Sequence, residues 1–192
     1  MMKLLSLNTA RASTLQTDQG PVMSGIAKRP REGAVTVKPL GLEGDEQADL
    51  DVHGGVAKAV YAYPSEHYPF WQTVRAQARA GDWGQDLPPG SLGENLTLAG
   101  LTESDAWVGD LLRFPDCDLA VSEPRYPCFK LNAVLGFKQA AKLMMQSGWC
   151  GFYLSVIRPG VLGAGDSFEL IPGPREVNIR DLFKARTASK IR

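Results

Sequence analysis

Short stretches of apolar and β-branched residues alternate along this chain with turns that contain glycine or proline, a pattern typical of β-strands. It predicts strands at Lys3–Asn8, Gly33–Val37, Ala59–Tyr63, Leu96–Leu98, Leu111–Phe114, Leu119–Ser122, Phe152–Ile157 and Ser167–Ile171. A Gly-Asp pair precedes two of these strands, at Gly109-Asp110 and Gly165-Asp166. Such turns are typical of hairpin connections in an antiparallel sheet.

Apolar residues at helical spacing predict only a few helices. They recur every three or four positions in Glu66–Arg79, which predicts an amphipathic helix. A second helix is predicted over Phe137–Gln146, ended by Gly148, and a third within Glu176–Arg192. Because many short strands accompany few helices, the pattern favours a mainly β barrel over a fold of alternating strands and helices.

Length and composition suit one compact domain and exclude several functional classes. The 192 residues are 44% hydrophobic, and 21 Lys and Arg balance 21 Asp and Glu. The chain therefore lacks the basic excess expected of a protein that binds nucleic acid polymers. No apolar run approaches the ~18 residues that predict a membrane span, and no secretory leader is recognised at the N-terminus. These features predict a cytoplasmic protein with no membrane partner.

The chain contains 3 cysteines and no C-x-x-C pair, which argues against a disulfide framework and a structural zinc site. Cys128 lies in the segment Ser122-Glu123-Pro124-Arg125-Tyr126-Pro127-Cys128-Phe129-Lys130-Leu131. The prolines restrict the backbone there, and nearby cations favour the thiolate, the form that binds metals. A buried structural cysteine is the equally weighted alternative. Cys117, between two aspartates, and Cys150, beside Trp149, are interpreted as structural.

Two other segments have the composition of ligand-binding loops. Glycines in Gly41–Asp45 and His53-Gly54-Gly55 allow a backbone to approach an anion closely, and Lys58 follows just before a predicted strand. The Glu94-Asn95 pair offers donors and acceptors for a heterocycle. Taken alone, the first segment is better explained as a long surface turn with a solvated lysine, and the second is also typical of a β-turn before a strand.

Together these segments resemble the MOSC family, named from the C-terminal domains of molybdenum cofactor sulfurases, and within it the stand-alone bacterial YiiM-type proteins. Any one of the motifs is weak, whereas the ordered set is specific, and it covers roughly residues 5–172. The matching segments are Gly41-Leu42-x-Gly44-Asp45-x-Gln47-Ala48-Asp49, His53-Gly54-Gly55-x-x-Lys58-Ala59, Tyr63-Pro64-x-Glu66-His67-Tyr68, Pro89-Gly90-x-Leu92-Gly93-Glu94-Asn95-Leu96, Gly109-Asp110 with Arg113, and Pro124-Arg125-x-Pro127-Cys128-x-Lys130-Leu131.

The resemblance implies a mainly β fold: a MOSC β-barrel, related to the inserted barrel of pyruvate kinase, over residues 1–174, with a few peripheral helices and a short helical tail over 175–192. It implies a pyranopterin molybdenum cofactor whose metal is bound by Cys128, the catalytic ligand. The remaining predicted cofactor-binding residues are His53, Gly54, Gly55, Lys58, Glu94, Asn95, Arg125 and Lys130.

The implied activity is reduction of N-hydroxylated compounds, including detoxification of N-hydroxylated nucleobases, as in the related mitochondrial amidoxime reducing component. The implied partners are a small-molecule substrate and a separate flavin or iron–sulfur electron-transfer protein, and a homodimer is left open. One alternative is a non-catalytic carrier of the cofactor, or a sulfur-transfer binding module. Another is a hydrolase that uses Cys128 with His53 or His67.

The sequence departs from the resemblance at two places. Only Val177–Lys184 resembles the start of the helical extension of YiiM-type proteins. Ala57 stands where relatives often carry an acidic residue before the lysine, so Lys58 is expected to be held differently.

Overall fold

A computed structural model of the chain describes residues 1–48 and 54–188, in which short strands outnumber helices. The strands are β1 (Lys3–Thr9), β2 (Ser13–Thr17), β3 (Gly20–Ser24), β4 (Arg29–Pro30), β5 (Ala34–Lys38), β6 (Gly41–Leu42), β7 (Val60–Pro64), β8 (Leu96–Ala99), β9 (Leu111–Arg113), β10 (Asp118–Pro124), β11 (Phe152–Arg158), β12 (Gly160–Gly163) and β13 (Glu169–Ile171). The α-helices are α1 (Tyr68–Gln77), α2 (Phe129–Leu135), α3 (Ala140–Ser147) and α4 (Ile179–Thr187), and short 3₁₀ turns span Val56–Lys58 and Ser65–His67. The prediction of a mainly β fold with a few helices is confirmed.

The largest sheet has eight strands in the order β13-β9-β10-β11-β7-β8-β1-β4. Neighbouring strands within this sheet are antiparallel, except for β7 and β8, which run parallel to each other. Separate small sheets are formed by β12-β5-β6 and by β2-β3. The order places the middle of the chain, β7 and β8, between its two ends.

The sequence predicted a barrel, but the described residues do not form a closed ladder of strands. The large sheet runs from β13 to β4, and β1 meets the segment before β13 only through a few backbone hydrogen bonds. The Leu4 N–H donates to the Asp166 carbonyl at 2.8 Å, the Gly165 N–H donates to the Leu4 carbonyl at 2.7 Å, and Lys3 forms an isolated bridge with Ser167. The sheet therefore curves back on itself without a continuous ladder across the seam.

Two other local predictions are corrected. The turns at Gly109 and Gly165 have φ of 89° and 98° and lead into β9 and β13. They are not hairpin turns, because β8 does not pair with β9 and β12 does not pair with β13. The second helix begins at Ala140 rather than Phe137, and α2, which ends at Gly136 in the left-handed conformation, was not predicted. A seven-residue helix is too short to show a clear apolar period.

The core combines side chains of the large sheet with side chains of all four α-helices. Its largest fully buried side chains are Trp71, Tyr63, Phe114, Phe152 and Phe183, with leucines from β1 and β8. Phe183 on α4 stacks on Tyr126, with ring centroids 5.4 Å apart, so the C-terminal helix packs against the segment that precedes Cys128. No helix in the described part of the chain is long and apolar enough to cross a membrane.

Candidate functional site

One cleft, with about 580 Å³ of empty space partly open to solvent, collects residues from distant parts of the sequence. The order β10-β11-β7-β8 explains this convergence, because the end of β10 lies beside the starts of β11, β7 and β8. The lining residues are Ser24, Gly25, Ile26, Lys28, Asp45, Glu46, Gln47, Ala48, Lys58, Tyr61, Gly93, Asn95, Arg125, Cys128, Lys130 and Tyr153. The structure thus brings together five predicted site residues: Lys58, Asn95, Arg125, Cys128 and Lys130.

Cys128 lies directly before α2, with an extended backbone (φ −126°, ψ 174°) and a half-buried side chain. The other two cysteines are fully buried in the core. Burial raises the pKa of Cys117 to about 11 and raises the pKa of Cys150 well above its ordinary value. Asp118, its neighbour in the sequence, also raises the pKa of Cys117, but burial is the main cause. Only Cys128, of the three, presents its thiol to a cleft.

Arg125 forms the inner wall of the cleft and is 5% exposed. Its Nη1 donates to the Leu92 carbonyl at 3.0 Å, and its guanidinium carbon lies 4.7 Å from the centroid of the Tyr61 ring. Burial lowers the pKa of Arg125, but Tyr61, Tyr153 and Cys128 together raise it by more than burial lowers it, so the pKa lies above its ordinary value. The cleft therefore contains a permanent buried cation.

Lys58 and Lys130 supply amines nearer the mouth of the cleft. The Lys58 Nζ lies 4.0 Å from a carboxylate oxygen of Glu123 and 6.0 Å from the centroid of the Tyr153 ring. Glu123 thus supplies an acidic neighbour from another strand, although position 57 is an alanine. The Lys130 Nζ donates to the Met23 carbonyl at 3.4 Å.

Asn95 lines the cleft, and its amide is engaged by the protein. Its Nδ2 donates to the Asn8 carbonyl at 3.2 Å and to Asp45 Oδ2 at 2.9 Å, while its Oδ1 accepts from the Tyr61 N–H at 3.1 Å. Since both amide hydrogens are used, this side chain fixes the cleft wall rather than offering donors to a ligand.

Sequence reasoning missed two charged residues of this wall, Lys28 and Asp45. The Lys28 Nζ lies 2.5 Å from Asp45 Oδ1, and the two side chains are 8% and 4% exposed. The same carboxylate accepts from the Ala10 N–H at 2.9 Å. The sequence indicated Asp45 only as part of the Gly41–Asp45 motif, and no local pattern indicated Lys28. The ion pair between the two residues depends on tertiary structure.

Three of the predicted cofactor-binding residues are not brought to the cleft wall. Glu94 is fully buried and accepts from the Gly90 N–H at 2.7 Å, the Leu92 N–H at 3.1 Å, the Thr97 hydroxyl at 2.8 Å and the Tyr68 hydroxyl. Burial raises the pKa of Glu94. This carboxyl organises the loop from inside, and it does not line the cleft.

Gly54 and Gly55 precede the Val56–Lys58 turn, and neither lines the cleft. Gly55 has φ of 89° and its carbonyl accepts from the Lys58 N–H at 3.0 Å, so its conformational freedom serves the turn that positions Lys58. The prediction for His53 lies outside the described residues.

His67 is buried away from the cleft. Its Nε2 lies 2.8 Å from Glu103 Oε2, and its ring stacks on Trp149 with centroids 4.7 Å apart. This placement removes His67 as a base for Cys128. Among the described residues no group of three or more His, Cys, Asp and Glu side chains is arranged to hold a metal ion, which leaves the single thiol as the candidate metal ligand.

Comparisons with known proteins find relatives that match most of this chain. The Bacillus subtilis protein YflK is 41% identical over 168 residues, covering 88% of this chain and 72% of its own. Escherichia coli YiiM is 39% identical over 159 residues, covering 82% and 68%. A protein of Gibberella moniliformis named "Reductase" is 32% identical over 182 residues, covering 88% of this chain and 30% of its own.

The solved structure of YiiM from Geobacillus stearothermophilus superposes with a TM-score of 0.78 at 29% identity, covering 100% of this chain and 87% of that one. The family model of the MOSC domain matches residues 49–169. These residues include Lys58, Arg125 and Cys128, and MOSC domains are associated with binding of the molybdenum cofactor. The chain belongs to the MOSC domain family.

Proposed function

We propose that this protein binds a pyranopterin molybdenum cofactor through the Cys128 thiolate and reduces N-hydroxylated compounds, including N-hydroxylated nucleobases. The observation that carries the proposal is the placement of one half-buried thiol in a cleft beside the buried guanidinium of Arg125. Support also comes from the family and from the Gibberella relative, whose name is that of a reductase.

The chemistry of the cleft fits this cofactor. A thiolate is a soft ligand, suited to a sulfur-rich metal site. Four cationic side chains and two carboxylates line the cleft, and one of those carboxylates, Asp45, is already paired with Lys28. The excess positive charge, with the forked donors of Arg125, suits the phosphate of the pterin. The rings of Tyr61 and Tyr153, with centroids 5.5 Å apart and planes at 46°, add aromatic surface to the cleft for a heterocycle.

The protein and the cofactor divide the work. When bound, the cofactor supplies the two-electron redox chemistry. In this proposal Cys128 holds the metal, Arg125, Lys58 and Lys130 hold the anionic parts, and the Asp45–Asn95 network keeps the wall rigid. In this proposal the electrons come from a separate flavin or iron–sulfur protein.

The test is a comparison of two cysteine variants of protein produced in a host that makes the cofactor. Cys128→Ala is expected to lose molybdenum and reductase activity to background, with little change in stability, because its side chain faces the cleft. The matched control is Cys117→Ala, in the core, which should retain molybdenum and turnover per folded molecule. Molybdenum content, reduction of an N-hydroxylated base with a competent electron donor, and thermal unfolding are measured together.

Retention of both molybdenum and activity by Cys128→Ala would contradict the proposal. A wild-type protein that binds molybdenum through Cys128 but never turns over N-hydroxylated substrates would instead identify a cofactor carrier.

A further inference from the structure

Lys28 is a charged side chain at the cleft wall to which the proposed function assigns no role. It enters from the segment between β3 and β4, and its ammonium is only 8% exposed and lies 2.5 Å from Asp45 Oδ1. The carboxylate is itself fixed from two other directions, by the Ala10 N–H at 2.9 Å and the Asn95 Nδ2 at 2.9 Å. An ammonium held this way has a defined position beside the open space of the cleft.

Reduction of an N–OH group requires protons as well as electrons. The balanced reaction is R₂N–OH + 2 e⁻ + 2 H⁺ → R₂N–H + H₂O, in which the N–O bond breaks, the oxygen leaves as water and the nitrogen gains hydrogen. The two electrons are supplied by the flavin or iron–sulfur reductase. A positioned acid accelerates such a step by about 10²–10⁴-fold, so the site needs a proton donor.

We propose that Lys28 is this donor: its ammonium gives a proton to the oxygen that leaves the substrate as water, and Asp45 is the positioning residue that aims it. This inference rests on the proposed reductase function and adds the donor of one of the two protons; the second, which goes to the nitrogen, comes from solvent water in the open cleft. The neutral amine that results regains its proton from solvent, to which the cleft is open.

The charged groups around Lys28 suit the role. Burial lowers the pKa of Lys28, the nearby Arg125 lowers it further, and Asp45 and Glu94 partly oppose both, with a net decrease. Of the other charged cleft residues, Glu46 accepts from the Ala12 N–H at 2.8 Å. Lys58 and Lys130 add positive charge to the same space. A lysine with a lowered pKa releases its proton more readily near neutral pH.

The first test separates proton donation from simple charge. Lys28→Met should lower kcat by about 100-fold with unchanged molybdenum content, and Lys28→Arg should not restore it, because a guanidinium does not release its proton in proteins. The control is Lys138→Met, whose side chain is 80% exposed, with no expected change. Recovery of kcat by the arginine variant, or loss of molybdenum from Lys28→Met, would overturn the donor role and make Lys28 a cofactor-binding cation.

The second test needs no turnover. Pulse labelling of amines with acetic anhydride across pH 6–11, followed by peptide mass spectrometry, gives the pH midpoint of each lysine relative to its own plateau. The Lys28 midpoint should lie below that of Lys138, and Asp45→Asn should move it lower still, since the carboxylate raises this pKa. A Lys28 midpoint at or above that of Lys138 would overturn the inference, whereas Cys128→Ala retaining molybdenum and activity would overturn the reductase proposal itself.

Discussion

Two polar clusters adjoin β7 at different points, one near Tyr61 and one near Tyr63, and they differ in access rather than in residue type. The cleft cluster comprises Lys28, Asp45, Asn95, Arg125 and Cys128, and all five line an open cavity. The closed cluster comprises Tyr63, His67, Glu103, Trp149 and Gly151, and none of these lines that cavity.

In the closed cluster every polar partner is another part of the protein. Glu103 accepts from the Gly151 N–H at 2.7 Å and pairs with His67, and the Tyr63 hydroxyl donates to the Trp149 carbonyl at 3.0 Å. A histidine paired with a glutamate is common in catalytic sites. Here the pair links the loop before β11 to the core, because Glu103 bonds both His67 and the Gly151 N–H. Ionisable residues indicate chemistry only where a ligand can reach them.

The largest difference should appear in thiol labelling by iodoacetamide. At pH 8 a thiol with a pKa of about 11 is thiolate in about one molecule in a thousand, and Cys117 is also fully buried. We expect Cys128 to be alkylated at least about 100-fold faster than Cys117 or Cys150, because burial raises the pKa of both of those thiols and also shields them from the reagent; peptide mass spectrometry measures the rates. Comparable rates at the three cysteines would show that the core opens as readily as the cleft.

Asp45→Ala should cost the most stability in the cleft cluster. Removing this carboxylate leaves the buried Lys28 ammonium without its counter-ion, and breaking a buried pair costs about 3–5 kcal/mol. The free energy of unfolding is measured in urea. Asp45→Asn, which keeps an acceptor for Ala10, is the control and should lose less; equal losses would mean that the charge of Asp45 does not matter.

Glu103→Ala tests the closed cluster in the same way. It leaves the Gly151 N–H and His67 without their acceptor, at about 1–3 kcal/mol for each buried group. The molybdenum content of the folded fraction should remain that of wild type, because Glu103 does not face the cleft. If molybdenum is lost while the fold remains intact, the closed cluster is not separate from the site.

The smallest effect expected is a pH dependence of stability caused by Lys28. Since its pKa is lowered in the folded protein, the unfolded chain binds more protons between the folded pKa and the unfolded value near 10.5. The contribution to stability therefore rises as pH increases through that window and reaches its full value above it. Urea unfolding of wild type should show this rise, and Lys28→Met should lack it.

The strand pattern was predictable because it depends on local alternation. β1, β5 and β10 match their predicted ranges within about two residues, the usual uncertainty of element boundaries. The hairpin of β2 and β3 was missed, since Ser13–Ser24 contains few apolar residues and Pro21 within it argues against a strand. The parallel pairing of β7 and β8 has no local signature either, because it joins strands separated by all of α1 and the loop after it.

The candidate site shows the same division. The prolines and cations around Cys128 marked that segment directly, and its order with the glycine-rich segments identified the family. Glu94 and Asn95 were adjacent in the sequence and looked alike as candidates, yet the structure turns Glu94 into the core and Asn95 towards the cleft. Neighbouring residues of an extended chain point to opposite faces, so the sequence alone does not tell which face is the cleft.

By itself, the sequence determined that this is a mainly β chain of the MOSC family with one distinctive cysteine segment, because alternation, turn residues and ordered motifs are properties of neighbouring positions. Only the tertiary structure decided that Lys28 forms an ion pair with Asp45, 17 residues away, and that His67 is buried and stacked on Trp149. It also decided that the strands of the large sheet do not close into a barrel. Burial and charge pairing depend on which distant segments the sheet order brings together, and that order emerges from packing of the whole chain.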